Sequence, residues 1–253
     1  MDENNNEYYQ QVKTEENPID IQLVDIKILP MGSGWGWITD GFELFKKSPG
    51  LWIGMVVVVA IIMAVISMIP LVGSIVLPIF SGGFMYICHK QFNDQTAVFE
   101  DLFYGFKNQV APLAILGLAN LAAMFVIGFI VLSIVGVGAG LGAMGSSGGA
   151  LAGGIMGLLF GLMISMLLYI PVMMGLWFAP ALVLFHQELK PVDAMIMSFK
   201  ACWQNFLPFL IYSIAVFVIF FIAMIPLGLG FFIAAPVIIA SSYFGYRGIF
   251  TAV

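Results

Sequence analysis

Two histidines, two cysteines and a Ser-Ser pair are the residues of this 253-residue chain that could hold a metal, form a disulfide or act as a nucleophile. Their spacing supports none of these. His89 and His186 are far apart in sequence, and the neighbour of His89 is Cys88. Adjacent helical residues project from different sides, whereas two ligands on one helix face need a spacing of three or four. A metal shared by the two histidines is one reading, and anchoring at a membrane surface is the simpler one. Cys88 and Cys202 fall where the cytoplasmic ends of apolar stretches are expected, so both thiols stay reduced and form no disulfide. Ser146-Ser147 has no His or Asp partner outside an apolar stretch. The glycine-rich run around it has no Lys-Ser/Thr ending and follows no strand, as a phosphate loop would. The residues therefore predict no catalytic group, no metal and no cofactor, and a protein that is not an enzyme.

Composition names the solvent. The chain is 61% hydrophobic and 9% charged, with a mean hydropathy of +1.04, whereas soluble domains carry about 25% charged residues. Such a chain must fold in a bilayer. Residues 1–30 hold seven acids and two bases, and the remainder holds seven of each, so the net charge of −5 belongs to the leader. Nothing is basic enough for nucleic acid. Residues 1–20 read as a disordered acidic tail. The more apolar run from Ile21 to Pro30 is expected to lie extended against a membrane domain covering 31–253.

A helix needs about 20 apolar residues to cross about 30 Å of hydrocarbon. Residues 50–69, 72–88, 206–224 and 227–246 meet this, and no charged residue falls between Asn108 and Phe185. Two or three spans would fit in that middle stretch. Parity decides: with two, all nine bases lie on one side of the membrane, and with three, Lys190, Lys200 and Arg247 cross over. Basic short loops mark the cytoplasmic face. The expected architecture is an all-α polytopic membrane protein with six transmembrane helices and both termini cytoplasmic.

Three hairpins recur, over about 35–92, 98–187 and 192–249. Their landmarks are Ile69-Pro70 with Pro78, Ile170-Pro171 with Pro180, and Ile225-Pro226 with Pro236. These six prolines are the predicted breaks and turns. The middle hairpin has a surplus rich in Gly, read as a loop on the outer face over about 136–150 because so much glycine disfavours helix. After it, Gly149, Gly153, Gly157 and Gly161 share one helix face. Small residues at that spacing let helices touch backbone to backbone. Packing within the chain, a seam between copies and a pore lining are all open readings.

A short amphipathic segment precedes each hairpin. Ile38, Phe42 and Phe45 form the apolar face of the first, Phe99, Leu102, Phe103 and Phe106 that of the second, and Val192, Met195, Ile196, Phe199 and Trp203 that of the third. Such helices lie in the headgroup region with the apolar side toward the acyl chains. Trp35, Trp37, Trp52 and Trp203 are expected as interfacial anchors, ring half-buried and N–H wet.

The run Trp35-Gly36-Trp37-Ile38, followed by Gly41-Phe42, Phe45, Pro49 and Trp52, resembles the opening of a family of bacterial inner-membrane proteins of unassigned activity. Leu102-Phe103-Tyr104-Gly105-Phe106 is similar to that family's second landmark. More distantly, the hairpin pattern resembles the membrane portion attached to some glycerophosphodiester phosphodiesterases. The resemblance implies an inner-membrane protein and carries no catalytic residue across.

Ion-coupled transporters and proton relays place ionisable groups within their spans, and none falls inside these. The buried polar groups to watch are Asn120, Tyr169 and Tyr212. The expected function is an accessory or scaffold subunit, or a lipid-organising protein, acting by helix–helix contact. Its partners would be membrane lipids, another membrane protein complex or a second copy. The alternative is a transporter, flippase or pore for a neutral or amphipathic solute, which requires a mid-membrane cavity lined by Tyr169, Asn120 or Tyr212.

Overall fold

The computed structural model describes residues 21–69, 71–145 and 148–252. The molecule is all-α and polytopic. Among the described residues, six apolar helical stretches long enough to cross a membrane follow one another as three hairpins. The first is α2 (Pro49–Ile66) with α3 (Val72–Phe92). The second is α5 (Val110–Gly145) with α6 (Gly149–Trp177), and α6 continues after a break as α7 (Ala179–Phe185). The third is α9 (Phe206–Met224) with α10 (Phe231–Phe250). The short amphipathic elements are α1 (Ser33–Lys47), a 3-10 turn over Phe99–Phe103 running into α4 (Tyr104–Asn108), and α8 (Pro191–Gln204). An even number of spans returns the chain to the same end each time, and the lysines of the loops collect at this basic end.

The core sits there as well. The buried halves of α3 and α10, with α7 between them, pack ring on ring. Phe185 lies against Tyr243 and Tyr246, and Phe178 against Phe209 and Phe250. The amphipathic elements wrap this centre at backbone distance. A methyl group on Gly41 would meet the Ser241 nitrogen at 2.7 Å, one on Gly34 the Pro208 oxygen at 2.0 Å, and one on Gly83 the Leu102 oxygen at 1.9 Å. Only Gly permits such approach. A half-buried ion pair from Lys90 to Asp101 at 2.8 Å holds the 3-10 turn, beside Tyr86 stacked on Tyr104. Toward the far end the helices are bare hydrocarbon: Val65, Met68, Phe129, Leu132 and Phe217 are all exposed. Such a surface suits hydrocarbon rather than water.

Two expectations are corrected by this structure. The glycine-rich segment is not a loop: α5 stays helical to Gly145, and α6 begins at Gly149. In lipid the backbone has no water to turn to, so helix hydrogen bonds outweigh the low propensity of glycine. The threefold Ile-Pro turn holds twice. Leu71 and Leu227, each following its proline, take the left-handed conformation (φ 76° and 54°) that ends one helix and turns to the next. Pro171 instead lies inside α6. Residues 21–30 form an extended strap, with Val24 and Lys27 donating backbone N–H groups to Phe250 and Ile249, and Leu23 bridging Thr251. The strap gains fixed backbone partners, which a solvated leader lacks. The acidic residues 1–20 lie outside the described residues.

Candidate functional site

Pro180 starts the most informative feature of the bundle. It brings no N–H to α6, and the helix parts at Phe178. The N–H of Phe178, which an unbroken helix would give to the Met174 carbonyl, donates instead to Ser198 Oγ at 3.0 Å. Ser198 passes its own hydroxyl proton to that carbonyl at 2.7 Å, and the Cys202 thiol reaches it at 3.5 Å. A hydroxyl inserted into the ladder is a recognised cause of a kink. It is possible here because the inward face of α8 is made of Ala194, Ser198, Ala201 and Cys202, small enough to press onto α6.

Seating α8 against α6 in this way leaves the next span, α9, standing off from α6. The gap is a cavity of about 420 Å³ lined by Met166, Tyr169, Met173, Trp177, Leu210 and Tyr212, among others. Its rim residues Met166, Ile170 and Phe206 are exposed, so it opens sideways from the bundle, and Tyr212 lies buried at its back. Trp177 meets Tyr212 and Phe209 edge-on at 5.9 and 6.1 Å. The walls are almost wholly apolar. Both tyrosine hydroxyls there are satisfied from outside the cavity: Tyr169 donates to Asn120 Oδ1 at 3.2 Å, and Tyr212 shares a hydrogen bond of 2.9 Å with Ser241. Burial pushes the Cys202 thiol up to about 12. Such a site offers shape and dispersion contact, and no acid, base or nucleophile.

The other predicted residues fall elsewhere. Gly149, Gly153, Gly157 and Gly161 face α5, where their missing side chains are replaced by the backbones of Gly142 and Gly138, of Ile134 and Val135, and by Val131. The glycine face thus packs against α5 within the chain. Pro78, Pro171 and Pro236 sit within continuous helices and break nothing, Pro226 turns between α9 and α10, and Pro70 lies outside the described residues. Trp35 and Trp203 are exposed. Trp37 and Trp52 are not interfacial anchors: both are buried, and Trp52 donates to Gln91 Oε1 at 3.0 Å because the end of α3 supplies the partner that water was expected to provide. Phe42 turns outward from α1, as do Val192, Ile196, Phe199 and Trp203 from α8.

His89 and His186 each meet a tyrosine of α10. Asn93 Nδ2 donates to His89 Nε2 at 3.1 Å, which leaves the proton on Nδ1 to serve Tyr243 at 3.0 Å. His186 Nε2 meets the Tyr246 hydroxyl at 2.8 Å. Both nitrogens of His89 thus have side-chain hydrogen-bond partners. Cys88 and Cys202 are free thiols, both buried.

No family model and no solved structure matches the chain. It is similar to a protein of Burkholderia thailandensis named as a probable inner membrane protein, with 26% identity over 232 residues, covering 85% of this chain and 80% of that relative.

Proposed function

We propose that this chain is a non-catalytic inner-membrane protein, both termini cytoplasmic, that organises lipid by taking an acyl chain into the cavity between α6 and α9. The dimension of the cavity carries the reading. From Trp177 to Met166 it descends about 16 Å at 1.5 Å per residue, which is the depth of one leaflet of a hydrocarbon core about 30 Å thick. Its methionines and aromatic rings adapt to a flexible chain. The outward stripe of α8 extends the same apolar surface at headgroup level. The basic end supports a cytoplasmic orientation, and the similarity to a named inner membrane protein supports that membrane. The resemblance of the Trp37-Ile38-x-x-Gly41-Phe42 opening to inner-membrane proteins of unassigned activity points the same way.

Extraction in native lipid followed by mass spectrometry tests this. The proposal expects one phospholipid to stay with each chain, and Met173→Trp with Leu210→Trp to displace it. A chain that retains no lipid but brings a stoichiometric protein companion would replace the reading with an accessory subunit. A second reading is a pathway for a neutral or amphipathic solute. It rests on the cavity reaching the Tyr169–Asn120 pair at mid-depth, and vesicle flux that the two tryptophans block would favour it.

A further inference from the structure

A second cavity, of about 580 Å³, lies at the basic end beneath the strap, between α1 and the last turns of α10 and within the usual range for ligand sites. Its lining includes Lys27, Trp37, Asp40, Phe92, Phe244 and Arg247. Three charges of both signs therefore face one space. Among the described residues none of them pairs with another: the three ion pairs are Lys46–Glu43, Lys47–Asp94 and Lys90–Asp101. Lys27 donates to the Thr251 carbonyl at 2.8 Å, which fixes its ammonium at the rim. The Arg247 guanidinium lies 3.7 Å from the centre of the Phe92 ring, which sets its plane where it lines the cavity. Opposite charges held apart around a cavity suit a ligand that carries both.

We propose that this cavity binds a phosphate ester bearing an amine, the head of a zwitterionic phospholipid, with the phosphate on Arg247 and Lys27 and the ammonium on Asp40. Arginine meets phosphate through paired N–H donors. Trp37 and Phe244 line the same space, and aromatic rings suit an ammonium neighbour. Burial and the nearby Glu43 raise the Asp40 carboxyl above its ordinary value, and a cation bound there would relieve that. The site is separate from the acyl cavity between α6 and α9, so each proposal can fail without the other.

The test is native mass spectrometry of the full chain titrated with phosphatidylethanolamine, phosphatidylglycerol and diacylglycerol, beside Asp40→Asn and Arg247→Gln. Phosphatidylethanolamine should bind about tenfold more tightly than either other lipid, as expected for one charge-assisted contact. Asp40→Asn should abolish the preference over phosphatidylglycerol, and Arg247→Gln should weaken both phospholipids. Arg247→Lys keeps the charge and should retain part of the binding, which separates loss of the site from loss of the fold. Displacement of the lipid by soluble phosphoethanolamine would assign the site to the free solute, and persistence would assign it to the lipid; either supports the chemistry. Equal binding of all three lipids, unaltered by the variants, would overturn it.

Discussion

At the residue scale, the molecule turns on small side chains that take the place of missing backbone partners. Ser198 joins the two groups that the kink before Pro180 separates. Ser198→Ala would leave the buried Phe178 N–H unmatched and the Met174 carbonyl with only the long Cys202 contact, at a cost of about 1–3 kcal/mol. It should lower the thermal midpoint in detergent, whereas Ser198→Thr should recover most of the loss. An unchanged midpoint for the alanine variant would show that the hydroxyl is dispensable. Cys202 gives a pH prediction. Burial holds its thiol up near about 12, so the reactive thiolate is scarce at pH 9, where an ordinary cysteine of pKa about 8.5 is mostly ionised. Water-soluble maleimide should leave Cys202 unmodified at pH 7 and pH 9 and label it only after denaturation. None of this was visible in sequence. Ser198 and Cys202 lie within a segment whose large residues drew the eye to its outward face, and the inward face is recognisable only as a run of small ones.

Helix by helix, the legibility of the sequence followed the solvent. α2, α9 and α10 were plain because a uniform apolar run has one explanation in a bilayer. The middle hairpin was misread because helix propensity is a property measured in water. In lipid the glycines of α5 and α6 are an asset: Gly138 and Gly142 meet Gly153 and Gly149 at backbone distance. Gly153→Leu should therefore separate the two helices, destabilising by about 1–3 kcal/mol or more as overpacking does. Gly140→Leu, where a side chain meets open space, should be silent. Chemical unfolding in detergent compares the two, and equal effects would contradict the zipper. The amphipathic elements were legible as helices but only partly by face. Gly34 and Gly41 let α1 dock on α9 and α10, which buries Trp37 and turns Phe42 outward.

For the whole molecule, the aromatic core gathers at the basic end and the spans part toward the other, which is why the lateral cavity between α6 and α9 exists. α5, at 36 residues, is about 54 Å long against a hydrocarbon core of about 30 Å, so the tip of the second hairpin reaches past the membrane unless the hairpin tilts strongly. Gly145→Cys and Gln95→Cys report the topology. With native cysteines replaced, the first should be labelled by an impermeant thiol reagent from the periplasm and the second only after the inner membrane is breached. The reverse would invert the protein. Six spans and a common basic side were legible from charge and hydropathy; the cavities were not, because they arise from how far neighbouring spans stand apart.

The account stands on the cavity between α6 and α9 holding an acyl chain, and the most direct measurement is photocrosslinking with a phospholipid that carries a diazirine in its chain, performed after loosely held lipid has been washed away in detergent. Adducts should concentrate on residues 166–177 and 206–213 and vanish in the Met173→Trp, Leu210→Trp double variant. Adducts spread along the bare faces of α2 and α5, unmoved by that variant, would mean that lipid merely surrounds the protein, and the central claim would fall.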